Sequence, residues 1–579
     1  MDHRILFERG GMPDDWRQFW LKTYPCIQQT KLPYPDKPLS VLLDAAASRF
    51  PDRTACTLYG KQTSYAQLNE QAHRLAHALS RLGAKPGRFV GMLLPNIPEY
   101  LVALQATWLT GATALQLSPL MVAEEVRHWL EATGCHIVVT LDLLTPAVRG
   151  AVGAGPLEHM IVTSLADKLA LWRGWLYRVV RMRRNGSLRL REDAHCHLFE
   201  NLLQDEPLTE LPAIKPDEDV AVLAPTGGTT ASPKAVMLTH RNLVANAIQL
   251  RNWCEGADGE EAILGVLPFF HSYGLSVSLL TAWAKGSTVH LYPRFETKAV
   301  LSLLEQERVE LVAAVPAMLN ALNIAMRNKN IAMRNRPHDL SFIRAVISGA
   351  SALDAKVRQE FESHGAHDVI EGYGLTEASP VTHANLPGAG NRPGTIGVPL
   401  PDTEARIMDQ LVGINEMPDG EVGELVVRGP QVMKGYFNNP EATAAALRDG
   451  WLYTGDLARR DSDGYYTIVD RKKDIIKTSG FLVFPAEVEE VLLTFPNVAE
   501  AAVVGVPDVE RGELIKALIV PREGKLDIAE LQAFLRQHLG KHKQPRRIEI
   551  VTELPKNFLG KILRRKLRER GATAGETIT

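Results

Sequence analysis

After the apolar strand Val220-Ala-Val-Leu-Ala224 and Pro225 comes Thr226-Gly227-Gly228-Thr229-Thr230-Ala-Ser-Pro-Lys234. Backbone N–H groups at the two glycines can approach an anion closely, the threonine hydroxyls can donate to it, and the ammonium of Lys234 can neutralise it. That is phosphate chemistry. The spacing differs from G-x-x-x-x-G-K-[ST], because no glycine precedes Lys234 and Ala235 follows it. Standing alone, the segment reads equally as a Gly/Thr turn. Further on, Glu371-Gly372-Tyr373-Gly374-Leu375-Thr376-Glu377 offers a ring to stack on a base, a hydroxyl, and a carboxylate suited to Mg2+. Asp456, after the glycine turn at Gly455, suits paired ribose hydroxyls. Asp470-Arg471-Lys472-Lys473-Asp474, Lys477-Thr-Ser-Gly480 and Pro555-Lys-Asn-Phe-Leu-Gly-Lys561 add cations. Each motif taken singly also reads as a surface turn or a solvated charge run.

The elements that must position these residues show two styles. Ser64-x-x-Gln67 reads as a capping box, with Leu68, Ala72, Leu75, Leu79 and Leu82 following at helical spacing and Gly83 as the stop. Phe89–Leu94 is apolar throughout and Ala112–Leu117 and His136–Val139 largely so, without strict alternation, as strands of a parallel sheet covered by helices on both faces are. The first half is therefore α/β. After about residue 395, short strands broken by Asp-Gly turns read as hairpins, with Asp463-Gly464 between residues 457–460 and 465–469. The last hundred residues return to mixed α/β character, with strands at 501–504 and 517–520 and a helix capped by Asp527. The charged connector 470–474 marks the division: 1–469 forms a large N-terminal domain and 470–579 a small C-terminal one.

Composition narrows the field. Of 579 residues, 45% are hydrophobic and 23% charged, which excludes collagen-like, coiled-coil and disordered chains. Sixty-five Lys and Arg against 67 Asp and Glu give a net charge of −2, so no global field attracts nucleic acid. Five cysteines without a CxxC pair fit a reduced, cytoplasmic protein, and no run of 18 apolar residues spans a membrane. Two segments stand out. Residues 323–329 are repeated almost unchanged at 330–336, which adds two helical turns and needs no function. Lys168 to Arg191 interleaves eight Lys and Arg residues with Leu171, Trp172, Trp175, Leu176, Val179 and Val180. It reads evenly as an interfacial helix on the anionic inner membrane surface or as a solvated basic insertion.

Together, in this order, the motifs closely resemble the adenylate-forming superfamily, in particular the bacterial long-chain fatty-acid–CoA ligases, over residues 40 to about 568. The resemblance implies an α/β fold: a large domain of stacked parallel and mixed sheets with a β-barrel-like subdomain, and a small mobile α+β domain. It implies ATP-dependent activation of a medium- to long-chain fatty acid to acyl-AMP, then transfer to coenzyme A. The barrier is electrostatic, since an anion attacks a polyanion. By that pattern the loop from Thr226 to Lys234 holds the β- and γ-phosphates, and Thr376 contacts the α-phosphate. Glu377 and Thr226 help hold Mg2+. Tyr373 stacks on adenine beside Gly349-Ala350-Ser351, and Glu371, Gly372 and Gly374 complete that wall. Asp456 and Arg471 take the ribose hydroxyls, and Lys561 bridges carboxylate and α-phosphate. Lys473 is the hinge, and Lys477 and Gly480 serve the thioester step. His271, with Gly349 and Ala350, borders the acyl pocket.

The chain departs from the pattern at Ala231 and Ala235, where glycine is usual, and at Leu482, where a polar residue is commoner. A fatty-acyl-AMP ligase serving a carrier protein and an aryl-acid–CoA ligase remain alternatives. The residues leave monomer and homodimer equally open.

Overall fold

The continuously apolar strands lie in parallel sheets, as their pattern predicts. The computed structural model describes residues 31–571, apart from 153–154, 167, 170, 186–191, 227–233, 255, 328–337, 411–412, 480, 509–510, 523–525 and 557–559. An eight-stranded sheet runs parallel through Val220–Thr226, Thr113–Gln116, Phe89–Leu93, Ile137–Leu141, His159–Thr163 and Cys196–Leu198. Lys234–Thr239 and Gly435–Tyr436 extend it antiparallel. A nine-stranded sheet has six parallel strands at its centre, from Thr54–Leu58 to Asp368–Gly374, and antiparallel strands at both edges. The two sheets share one hydrophobic core with the helices Tyr65–Arg81, Pro98–Leu109 and His240–Trp253. Pro98–Leu109 is buried along nearly its whole length, which explains why it shows no polar stripe. Tyr65–Arg81 begins at the expected capping box, with Ser64 and Gln67 each satisfying the other's backbone N–H.

A curled five-stranded antiparallel sheet follows, built around Glu404–Met408, Gly423–Arg428 and the hairpin Trp451–Arg460/Tyr466–Arg471. The small domain's sheet then starts at Ile476–Thr478 and centres on the long hairpin Val498–Asp508/Gly512–Pro521. The strand Tyr466–Arg471 spans the division expected at residue 470, so the connector between the sheets is residues 472–475. The helix Pro316–Arg327 holds the start of the tandem repeat, whose second copy lies outside the described residues.

One side chain fixes the segment carrying His271. The Asn96 amide donates to the carbonyls of Gly265 and Leu267, at 3.0 and 2.7 Å, and accepts from the Phe269 N–H at 2.9 Å. It is buried, so these groups have no water to replace it. Asn96→Ala is expected to cost about 3 kcal/mol by orphaning three backbone groups, which chemical denaturation would read as a lowered midpoint. An unchanged midpoint would contradict this.

Candidate active site

Asp456 and Arg471 face each other because their strands pair around the turn at Gly464, whose φ is +85°. The Arg471 Nε lies 2.9 Å from one Asp456 oxygen, and the Tyr373 hydroxyl donates to the other at 2.7 Å. Tyr373 sits at the end of Asp368–Gly374, with the buried ring of His383 edge-on at 6.0 Å behind it and Tyr466 behind that. Burial first, then the Asp456 carboxylate, keeps the Tyr373 phenol from ionising. The result is a rigid aromatic wall beside an acid–guanidinium pair. Gly372 and Gly374 flank Tyr373 on the same strand. Glu371 is engaged elsewhere: its oxygens accept from the Leu353 and Gly394 N–H groups, and burial raises its pKa.

The other wall is built from the hairpin Val220–Thr226/Lys234–Thr239, in which Thr226 pairs with Lys234. The Thr226 hydroxyl donates to the Lys234 carbonyl at 3.1 Å. Gly227, Gly228, Thr229, Thr230 and Ala231, expected on phosphate, lie outside the described residues. The Lys234 ammonium stands 4.9 Å above the ring of Tyr436, whose hydroxyl donates to Glu377 at 2.8 Å. Tyr436 thus links the expected phosphate lysine to the expected metal carboxylate. It was not among the expected residues, and only its strand pairing with Lys234–Thr239 reveals it. Thr376 Oγ lies 3.3 Å from Ser272 Oγ, next to His271. Ala235 is buried in regular strand backbone, so alanine carries no strain there.

Lys561 enters from the small domain. Gly560, with φ +79°, seats its turn against Ala317 on the large domain, where a Cβ would stand 3.3 Å from that side chain. Lys561 remains open to the cleft but is walled by protein. Burial first, then Arg471 and Lys473, pull its pKa down to about 8, while Asp456 and Asp474 oppose the shift. His271 is held near 4 by burial, with Lys561 adding to the effect, and is neutral at pH 7. Nearby, Gly349 packs against the Tyr273 ring, and Ala350 adopts φ +72°. That conformation costs a non-glycine residue about 1–2 kcal/mol, strain of the kind found at functional turns. Ser351 follows, exposed.

The connector changes attachment within three residues. The Lys472 N–H bonds to the Gly455 carbonyl at 2.9 Å, and its ammonium to Glu424 at 2.7 Å, both in the large domain. Asp474 is held by Arg568 at 2.7 Å, on the last helix of the small domain. Lys473 lies between, with burial and then Arg471 lowering its pKa. Lys477 is exposed on the small domain's first strand, its N–H bonded to Glu513 at 2.7 Å. Gly480 lies outside the described residues. Thr478, Ser479 and Phe481 line a separate cleft with Arg511, His542 and Arg546. Among the described residues, Tyr373, Asp456, Arg471 and Lys561 are therefore brought together and Lys234 is linked to Glu377 through Tyr436, while Lys477 is engaged elsewhere.

A lysine from the small domain sharing a cleft with a tyrosine and an acid–guanidinium pair of the large one is the arrangement of a nucleotide-binding enzyme. Residues 43–437 match the AMP-binding enzyme model, and 487–561 match the AMP-binding enzyme C-terminal domain. The chain belongs to the AMP-binding enzyme family. A long-chain-fatty-acid–CoA ligase of Bacillus subtilis (strain 168) is 39% identical over 554 residues, covering 95% of this chain and 97% of the relative. A feruloyl-CoA synthase of an Amycolatopsis species is 36% identical over 522 residues, covering 90% and 96%. The crystal structure of ATP-bound MatB from Rhodopseudomonas palustris superposes with a TM-score of 0.79 at 27% identity, covering 92% of this chain and 99% of that one.

The Lys561 environment generates a pH prediction. Below about 8 the free enzyme carries the ammonium, and the charge is lost as pH rises through that value. The kcat/KM of the ATP-dependent reaction is expected to fall on the alkaline side by about tenfold per pH unit. Lys561→Arg, whose guanidinium stays charged, is expected to abolish that limb at a lower plateau. A limb surviving in the arginine variant would assign it to another group.

Proposed function

We propose that this chain is an AMP-forming fatty-acid–CoA ligase acting on medium- to long-chain acids. The carboxylate attacks the α-phosphorus of ATP, forming acyl-AMP and releasing pyrophosphate. The thiol of coenzyme A then attacks the acyl carbon, losing its proton as AMP departs. The observation that carries the reading is Lys561, an ammonium from the second domain held among Asp456, Arg471 and His271. Two anions approaching each other need a cation between them, and Lys561 fits that role.

Asp456 and Arg471 suit the ribose, Tyr373 the adenine, Thr376 the α-phosphate, and Thr226 and Lys234 the other phosphates. Mg2+ fits at Glu377, whose carboxylate the Tyr436 hydroxyl orients. Among the described residues, no group of three or more His, Cys, Asp or Glu side chains forms a metal cage. Phosphate oxygens and water would therefore complete its shell, as Mg2+ prefers. Lys473, between residues tied to different domains, suits the hinge, which would bring Lys477 and Gly480 to the thioester step.

The acyl pocket favours an apolar tail. Glu371 is already bonded to two backbone N–H groups and is a poor anchor for an amino group. Neutral His271 is a poor partner for a second carboxylate. Each buried methylene contributes about 0.8 kcal/mol, so longer chains should gain until the pocket is full. The feruloyl-CoA synthase relative favours an aryl acid as the second reading.

Pyrophosphate release across saturated acids from acetate to stearate, with ferulate and amino acids as competitors, is expected to favour decanoate and palmitate. Ferulate outpacing both would sink the fatty-acid assignment. Separate half-reactions test the lysine. Lys561→Ala is expected to slow acyl-adenylate formation about 10²–10³-fold while leaving coenzyme A transfer from supplied acyl-AMP nearly intact. Equal slowing of both would make Lys561 merely structural.

A further inference from the structure

The helix Leu171–Asn185 carries its polar anchors inward and its apolar residues outward. Gly174, Tyr177 and Arg181 share one face at helical spacing and fix the rotation. A Cβ on Gly174 would stand 2.4 Å from the Ala166 carbonyl oxygen, so only glycine allows this approach. The Tyr177 hydroxyl and the Arg181 guanidinium both donate to Asp142, the latter at 2.9 Å. The Arg181 and Asp142 side chains are 6% and 0% exposed. At 3.6 residues per turn, Trp172, Trp175, Leu176 and Val179 fall on the opposite side. Trp172 is 65% exposed, Trp175 66% and Leu176 50%.

A globular helix ordinarily buries its apolar stripe. Here a buried ion pair holds the stripe in solvent, and such a patch marks an interaction surface. The cations decide the partner. Arg178 and Arg183 are exposed on the same helix, and no acid occurs between Asp167 and Glu192. Two copies meeting through this face would bring like charges together, whereas an anionic lipid surface neutralises them all. We propose that this helix lies in the headgroup layer of an anionic membrane, with Trp172, Trp175 and Leu176 inserted and Arg178 and Arg183 on lipid phosphates. This inference stands apart from the ligase chemistry, since none of these residues borders the active site.

Vesicle sedimentation of the full chain tests it. Wild type is expected to pellet with phosphatidylcholine–phosphatidylglycerol vesicles, more weakly at high salt, and poorly with phosphatidylcholine alone. Trp172→Ser/Trp175→Ser is expected to lose roughly tenfold or more of this partition, with unchanged unfolding midpoint and unchanged activity on a short soluble acid. Arg178→Gln/Arg183→Gln is expected to flatten the salt dependence. Equal pelleting of wild type and the tryptophan variant would overturn the proposal. So would a wild-type dimer that the tryptophan variant dissolves, without vesicle binding by either.

Discussion

The pairing of Asp456 with Arg471 is where the two halves of the molecule acquire a common electrostatic centre. It closes the last hairpin of the large domain, accepts the Tyr373 hydroxyl that fixes the aromatic wall, and lies one residue from the connector. Arg471 also acts on Lys561 and Lys473 from the other side of the cleft. One hairpin register thus sets the wall, the connector and the field into which the second domain delivers its lysine. A one-residue slip would turn both side chains to the opposite face and dissolve all three.

The cations of this cleft are held against their mutual repulsion. Lys561, Lys473 and Arg471 crowd together, with Asp456 and Asp474 as partial compensation. Anions arriving among these cations would offset the repulsion that adds to burial in lowering the Lys561 pKa. Water would otherwise have to reorganise around the developing charge. Fixed cations do so beforehand.

Much of this was legible in the residues. The capping box at Ser64 and Gln67, the apolar parallel strands and the Asp463-Gly464 hairpin are local signals, and local physics fixes them. Motif order was enough to identify the family. Less legible were features that depend on two distant segments. Tyr436 lies far in sequence from Lys234 and Glu377, and only strand pairing places it between them. Asn96 is an ordinary turn residue until three backbone groups of residues 265–269 close around it. The outward stripe of residues 172–179 could not be told from an inward one, because periodicity reports a face without its direction; Asp142 supplies the direction. At 470, charge density placed a division, but the strand carrying Arg471 belongs to the hairpin before it.

The bracketing of Lys473 has a mechanical corollary. With Lys472 bonded into one body and Asp474 into the other, motion that spares both attachments is confined to the few backbone torsions between them. A small domain turning about this bracket would act as an arm on a fulcrum, with displacement growing with distance from it. Atoms near Ile476 would scarcely travel, whereas the far end of the arm would sweep a wide arc for a modest turn. Small torsional changes at the connector would thereby be magnified at the periphery. A pair of distance labels set far from residue 473 would register the motion with the greatest amplitude, while a pair beside it would register almost none.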